Sequence, residues 1–156
     1  MDIYNSMFSQ SFIINEQIAR QIFETIPEQG PVVAIIDTSA NCWPSNSEEF
    51  HKLNIDESFL KELCAKIDDG LDPVITYEND CSFVASQLLT ENNHCGYIII
   101  ALPEYDSQAI LENMSLLEML FNQFSLIARL IEKNNRFYDD LKYQHNPNSY
   151  EQVSLN

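Results

Sequence analysis

Glycine is almost missing from this chain, with three residues in 156 and none near another. A glycine-rich loop that cradles phosphate on its backbone is therefore excluded. Basic residues are nearly as scarce: 8 Lys and Arg stand against 24 Asp and Glu, a formal net charge of −16. Binding to nucleic acid or anionic lipid rests on neutralising negative charge with Lys and Arg. Neither is expected as a partner, and a basic protein is favoured instead. CxxC pairs are also lacking. Cys42, Cys64, Cys81 and Cys95 are widely spaced and sit beside apolar residues, which suits reduced, buried thiols better than a disulfide framework. No continuous apolar run approaches the roughly 20 residues that span a bilayer. The opening Met1-Asp2-Ile3-Tyr4-Asn5 has no basic patch ahead of its apolar residues, so no secretion signal is read there and a cytoplasmic location is expected.

Reactive constellations are equally thin. His51, His94 and His145 accompany the four cysteines, but adjacent His94 and Cys95 point to opposite sides of a strand. No His or Cys pair elsewhere has helical ligand spacing. No metal or other cofactor is expected. A Cys–His nucleophile has no local signature. The carboxylate pairs Glu48-Glu49, Asp68-Asp69 and Asp139-Asp140 are what a chain this acidic contains by composition, and they read as solvated faces. No catalytic residue is assigned, and the chain is expected not to be an enzyme.

What is present is an apolar content of 45%, enough for one domain with a real core. Asn15 can cap a helix to Ile26, with Ile18, Ile22, Phe23 and Ile26 on one face before Pro27 ends it. Val32–Asp37 is a continuous β-branched run suited to a central strand covered on both sides. A turn at residues 38–41 leads to Cys42-Trp43, the start of a returning strand that Pro44 limits to an edge. Residues 45–54 read as a loop or short helix. Asp56 opens a second helix, with Phe59, Leu60, Leu63, Cys64 and Ile67 on one face, stopping near Gly70. Residues 73–77 read as a strand, 81–88 as strand or helix, and 95–102 as the most convincing strand of the chain.

The last element is a helix from Asp106 or Ser107 to at least Lys133. One stripe, Ile110, Met114, Leu117, Phe121, Phe124, Ala128 and Ile131, steps by four and three, the period of packed helices. A second holds Leu116, Leu120, Ile127, Leu130, Phe137 and Leu141. Two stripes predict burial on two sides, and the excess length points to the same helix of a second copy; the alternative is that the adjacent stripes form one wide face wrapped by the N-terminal helix. Met114, Leu117, Leu120, Phe121, Phe124, Ile127 and Ile131 are the candidate dimer residues. The expected organisation is an N-terminal segment (1–14), a domain (15–138) and a flexible acidic, polar tail (139–156). Short turns between strands predict an α+β fold, an antiparallel sheet flanked by helices with a long C-terminal helix.

This order resembles the GAF domain, a sensory α/β fold. Cys95-Gly96-Tyr97-Ile98-Ile99-Ile100-Ala101-Leu102-Pro103 looks like the glycine-led final strand of that family. Residues 116–138, with Leu120-Phe121-Asn122-Gln123-Phe124 followed by Ala128 and Glu132-Lys133-Asn134-Asn135, resemble its closing helix. The resemblance covers about residues 15–138, with detail only in the last third. It implies small-molecule sensing, often of cyclic nucleotides or a chromophore, and dimerisation through helices. It also implies a ligand pocket between the sheet and residues 42–75, for which Trp43, Phe50, Tyr77 and Phe83 are the candidate lining; read from the residues alone, the four aromatics are better taken as core packing. No cyclic-nucleotide signature accompanies it. A second reading is a small acidic chaperone of the type III secretion kind, binding an extended partner segment. The helix at 56–67, which interrupts the strands, tells against it.

Overall fold

The computed structural model describes residues 12–91 and 93–145. Helix α1 (Glu16–Phe23) begins where Asn15 accepts the amide of Ile18 at 2.9 Å, and it ends a turn earlier than the apolar spacing predicts. Strands β1 (Val32–Asp37) and β2 (Cys42–Pro44) follow, then the short α2 (Ser47–Lys52) and α3 (Glu57–Asp68). Asp56 caps α3 by accepting from Phe59, and Gly70, at φ 98°, turns the chain out of it. Strands β3 (Val74–Glu78), β4 (Cys81–Leu89) and β5 (His94–Leu102) complete the sheet. Residues 81–88, ambiguous in the sequence, are strand because the two-residue turn Asn79-Asp80, with φ of 51° and 61°, folds β3 straight back onto β4. Positive φ at both central positions is what such a hairpin turn needs.

The sheet has five strands in the order β2-β1-β5-β4-β3, and every pairing is antiparallel. The fold is α+β, an antiparallel sheet with helices on both faces. On one face, Val33, Ile35, Val84, Leu88, Ile98 and Ile100 pack against Ile18, Ala19 and Ile22 of α1 and the buried stripe of the last helix. On the other, Ala34, Ile36, Phe83, Ala85, Ile99 and Ala101 pack against Leu63 and Ile67 of α3. Residues alternate between the two cores, as the pleat demands. With strands covered on both sides, β1 and β5 are apolar without interruption. Gly96 allows β1 and β5 to pair closely, since a Cβ there would collide with the carbonyl of Ile36.

The final helix departs from expectation in two ways. It is two helices, α4 (Ser107–Glu112) and α5 (Met114–His145), broken at Asn113, whose backbone leaves helical geometry and whose side chain donates to Ala109 O at 2.7 Å. In addition, α5 continues to His145, beyond Lys133, the least extent expected of the helix, and into the segment expected to be a tail. At the other end the core reaches back beyond residue 15: Ile14 is buried, and Phe12 packs against the same cluster. The remaining parts of the expected terminal segments lie outside the described residues. Met114–Tyr138 is also long and apolar enough, at a mean hydropathy of 1.3, to cross a membrane, contrary to the reading of the sequence. Asn122, Gln123 and Ser125 break the apolar run, and the Leu, Ile, Phe and Met residues around them keep the mean high. One face of this stretch is packed on the sheet, and Arg129, Glu132, Lys133 and Arg136 crowd its second half.

Candidate functional site

The four aromatics proposed to line one pocket are not brought together. Phe83 is fully buried in the α3-side core, edge-on to Phe59 with ring centroids 5.2 Å apart. Phe50 packs against that same core. Trp43 leans on the opposite core, beside α1. Tyr77 is 58% exposed on the edge strand, its hydroxyl 3.3 Å from Asp80. The sheet itself separates Trp43 from Phe83, because neighbouring core positions on a strand face opposite ways. A surface groove of about 540 Å³ does border Trp43, between α1 and β2, with Arg20, Phe23 and Glu24 as other walls.

The predicted dimer stripe is placed differently as well. Leu117, Phe121, Phe124 and Ala128 are buried against the sheet and α1, with Met114, Leu120, Ile127 and Ile131 packed partly into the same core. That seam is filled by the chain's own sheet. The face of α5 turned away from the sheet is a different row: Leu116, Met119, Gln123, Leu126, Leu130, Lys133 and Phe137, all exposed. It too steps by three and four without a break, and at about 100° per residue its centre lies roughly 180° from the buried stripe. Leu116, Met119, Leu126, Leu130 and Phe137 are 46–60% exposed. Leu116, Leu130 and Phe137 stand in the second stripe of the sequence; Met119 and Leu126 were missed, because nothing in the sequence fixes the rotation of the helix on its sheet.

Charge is distributed unevenly along this helix. Arg129, Lys133, Arg136 and Lys142 are four of the chain's 8 basic residues. Glu132, only 2% exposed, points the other way, 3.6 Å from Arg136. Lys133 holds Glu91 at 2.7 Å and keeps that carboxyl below the usual range by its hydrogen bond and charge.

One polar cluster lies on the α3 side of the sheet. Tyr97 donates its hydroxyl proton to Asp68, whose oxygens lie 2.7 and 2.8 Å away, and His94 packs edge-on against Tyr97 with Nε2 3.8 Å from Asp68. Burial, then the hydrogen bond to Asp68, push the Tyr97 hydroxyl far above its ordinary value. Burial likewise pushes the Cys42 and Cys64 thiols up to about 11 and Cys95 up to about 12. These groups hold their protons at neutral pH, the reverse of an activated nucleophile. Among the described residues no three His, Cys, Asp or Glu side chains gather as a metal set.

No protein-family model, curated protein or solved structure matches this chain.

Proposed function

We propose that this protein is a non-catalytic regulatory module of the GAF-like sensory kind, acting as a homodimer held by α5. The observation that carries the reading is the second apolar face of α5, the row from Leu116 to Phe137, left uncovered by the described residues of the chain. A helix needs one apolar face to cover a sheet; a second, opposite one serves another body. The row spans about 32 Å at 1.5 Å per residue. Its five large apolar side chains, at roughly 100 Å² of exposed surface each, bring a symmetric pair to about 1,000 Å² of buried area, the lower bound for a specific interface.

The row also favours one orientation. Setting Leu126 of one copy opposite Leu130 of the other in an antiparallel pair puts Met119 opposite Phe137 and Gln123 opposite Lys133. Apolar then meets apolar and polar meets polar from Met119 to Phe137, with Leu116 beyond these paired levels. A parallel pair would instead stack Lys133 on Lys133. The antiparallel pair has one like-charge contact, Arg129 beside its twin near the two-fold axis, and the chain's net charge opposes any self-association. Added salt therefore tightens the dimer. The protonated thiols and tyrosine support the non-catalytic part of the reading, and a small-molecule ligand beside Trp43 remains part of the sensory proposal.

Sedimentation velocity tests it. The protein is expected to sediment as a dimer, Leu126→Glu as a folded monomer, and a Met119→Cys, Phe137→Cys pair is expected to crosslink between copies. A monomeric parent protein, or a Leu126→Glu variant that stays dimeric, would overturn it.

A further inference from the structure

A second open feature lies at the edge of the sheet, away from the outer row of α5. Strand β3 covers β4 only from Cys81 to Ala85, while β4 continues to Leu89 with β5 as its one strand neighbour among the described residues. Four residues, about 13 Å of strand, therefore have no described strand on that edge, where the Asp72 side chain accepts from Ser86 Oγ at 2.6 Å. The antiparallel ladder alternates, so Gln87 and Leu89 turn both N–H and C=O towards that edge, in step with Cys81, Phe83 and Ala85, which face β3. The two amides are held only by side chains: Gln87 donates to Asp72 Oδ2 at 3.4 Å and Leu89 to Ser125 Oγ at 3.3 Å. Both are longer than an ordinary N–H···O bond, near 2.9 Å. They are placeholders that a strand's carbonyls would improve on.

The edge does not lie open to solvent on a flat surface. It forms the floor of a groove of about 290 Å³, walled on one side by α5 through Glu118, Asn122 and Ser125 and closed at one end by Asp72 and Pro73. Phe121 gives the groove an apolar base beside Ser86. Its charged walls, Asp72 and Glu118, are both acidic, in a chain of net charge −16. We infer that this groove binds an extended, Lys- or Arg-bearing segment of a partner protein, added to β4 as a short strand beyond the end of β3. Backbone hydrogen bonds to Gln87 and Leu89 would supply the grip, and Asp72 and Glu118 the preference for positive charge. Unprotected edges are usually blocked by charge, proline or a covering element. Here α5 stands beside the edge and leaves the groove between them open.

The test uses the full chain and three labelled peptides in fluorescence anisotropy: Lys-Val-Lys-Val-Lys, the same peptide with both Val replaced by Pro so that its charge is kept, and Glu-Val-Glu-Val-Glu. The first is expected to bind and to shift the Gln87 and Leu89 amide resonances, and the other two to bind at least about tenfold more weakly, since each loses a backbone donor or the charge match. Glu118→Lys, at an exposed helix position, is expected to weaken the first peptide about tenfold with the fold intact by circular dichroism. Equal binding of the lysine and proline peptides would mean simple attraction to an acidic surface and would overturn the inference. So would preferred binding of the acidic peptide, amide shifts confined to other elements, or no binding at all. None of these outcomes depends on whether the outer row of α5 forms a dimer.

Discussion

The two faces of α5 are similar in composition and opposite in fate. The inner face sets Leu117, Phe121, Phe124 and Ala128 against the sheet and α1, each at most 6% exposed. The outer face carries Leu116, Met119, Leu126, Leu130 and Phe137, none less than 46% exposed. Both step by three and four, so a heptad pattern says that a helix has a seam without saying whose surface fills it. What separates the faces is the way α5 lies on the sheet, with the stripe from Leu117 to Ala128 turned inward. The inner face is then a matter of folding and the outer one a matter of association. Substitutions can pull the two apart.

The largest effect is expected inside. Phe121→Ala removes a ring that is 5% exposed between β4 and α1, leaving a cavity lined by Leu88 and its neighbours. Large-to-small changes of an aromatic in such a core cost about 3–5 kcal/mol. Urea denaturation of the variant should show a midpoint lowered accordingly, with any loss of dimer following from loss of fold. A cost under about 1 kcal/mol would mean that the inner stripe is less tightly packed than its burial indicates.

The next effect lies on the opposite side of the sheet and is smaller. Tyr97→Phe removes the hydroxyl that Asp68 accepts at 2.7 Å. Asp68 is half-exposed and can turn to water, so the expected cost near neutral pH is only about 1 kcal/mol. The pH dependence is the sharper readout. Tyr97 holds its proton more tightly folded than unfolded, so its contribution is fully present below the ordinary tyrosine value, near 10, and is lost as pH rises beyond it. Cys42, Cys64 and Cys95, raised from 9.0 to about 11, 11 and 12, act in the same direction. Stability measured by urea midpoint should fall from about pH 9 upward, and the fall above pH 10 should be shallower in Tyr97→Phe. An identical slope in the two proteins would show that Tyr97 titrates as it does in the unfolded chain.

Much of this architecture is legible in the residues. The run Val32–Asp37 is the strand the sequence indicates, and Asn15, Asp56 and Asp106 cap the helices that follow them. Gly96 lies in a strand whose close approach to Ile36 leaves no room for a Cβ. The failures share one physical cause, that periodicity reports burial without reporting its partner. Cys81–Leu89 resisted assignment because a strand buried on both faces has no alternation to read. Trp43 and Phe83 are equally aromatic and equally near turns, yet the pleat sends them to different cores. The interruption at Asn113 carries neither proline nor glycine, and only the local hydrogen bond to Ala109 marks it. The strand edge at Gln87 and Leu89 had no signal at all, since an unpaired edge arises from the relative lengths of β3 and β4.

A further, local effect marks where α1 joins the inner face. Asn15→Ala removes the acceptor for the Ile18 amide, and loss of such a cap costs about 1 kcal/mol. Because Ile18 and Ile22 of α1 share the core with Phe121 and Phe124, fraying of α1 should loosen the inner seam while leaving the outer row untouched. Amide exchange should therefore quicken in residues 16–20 in the variant, with the dimer unchanged in sedimentation.

The smallest expected effect on folding is the most informative. Leu130→Glu places a charge at a position that is 56% exposed in the single chain, next to Arg129 and one helical turn from Lys133. Surface changes of this kind alter stability by no more than about 0.5 kcal/mol. Below the concentration at which the protein dimerises, parent and variant should then unfold at nearly the same urea concentration. Above it, the parent alone should gain stability with concentration, because association stabilises the folded state by mass action. A variant that is destabilised equally at both concentrations would assign Leu130 to the chain's own core and erase the distinction between the two faces of α5. Concentration-independent unfolding of the parent would leave the outer row without a second copy to bind.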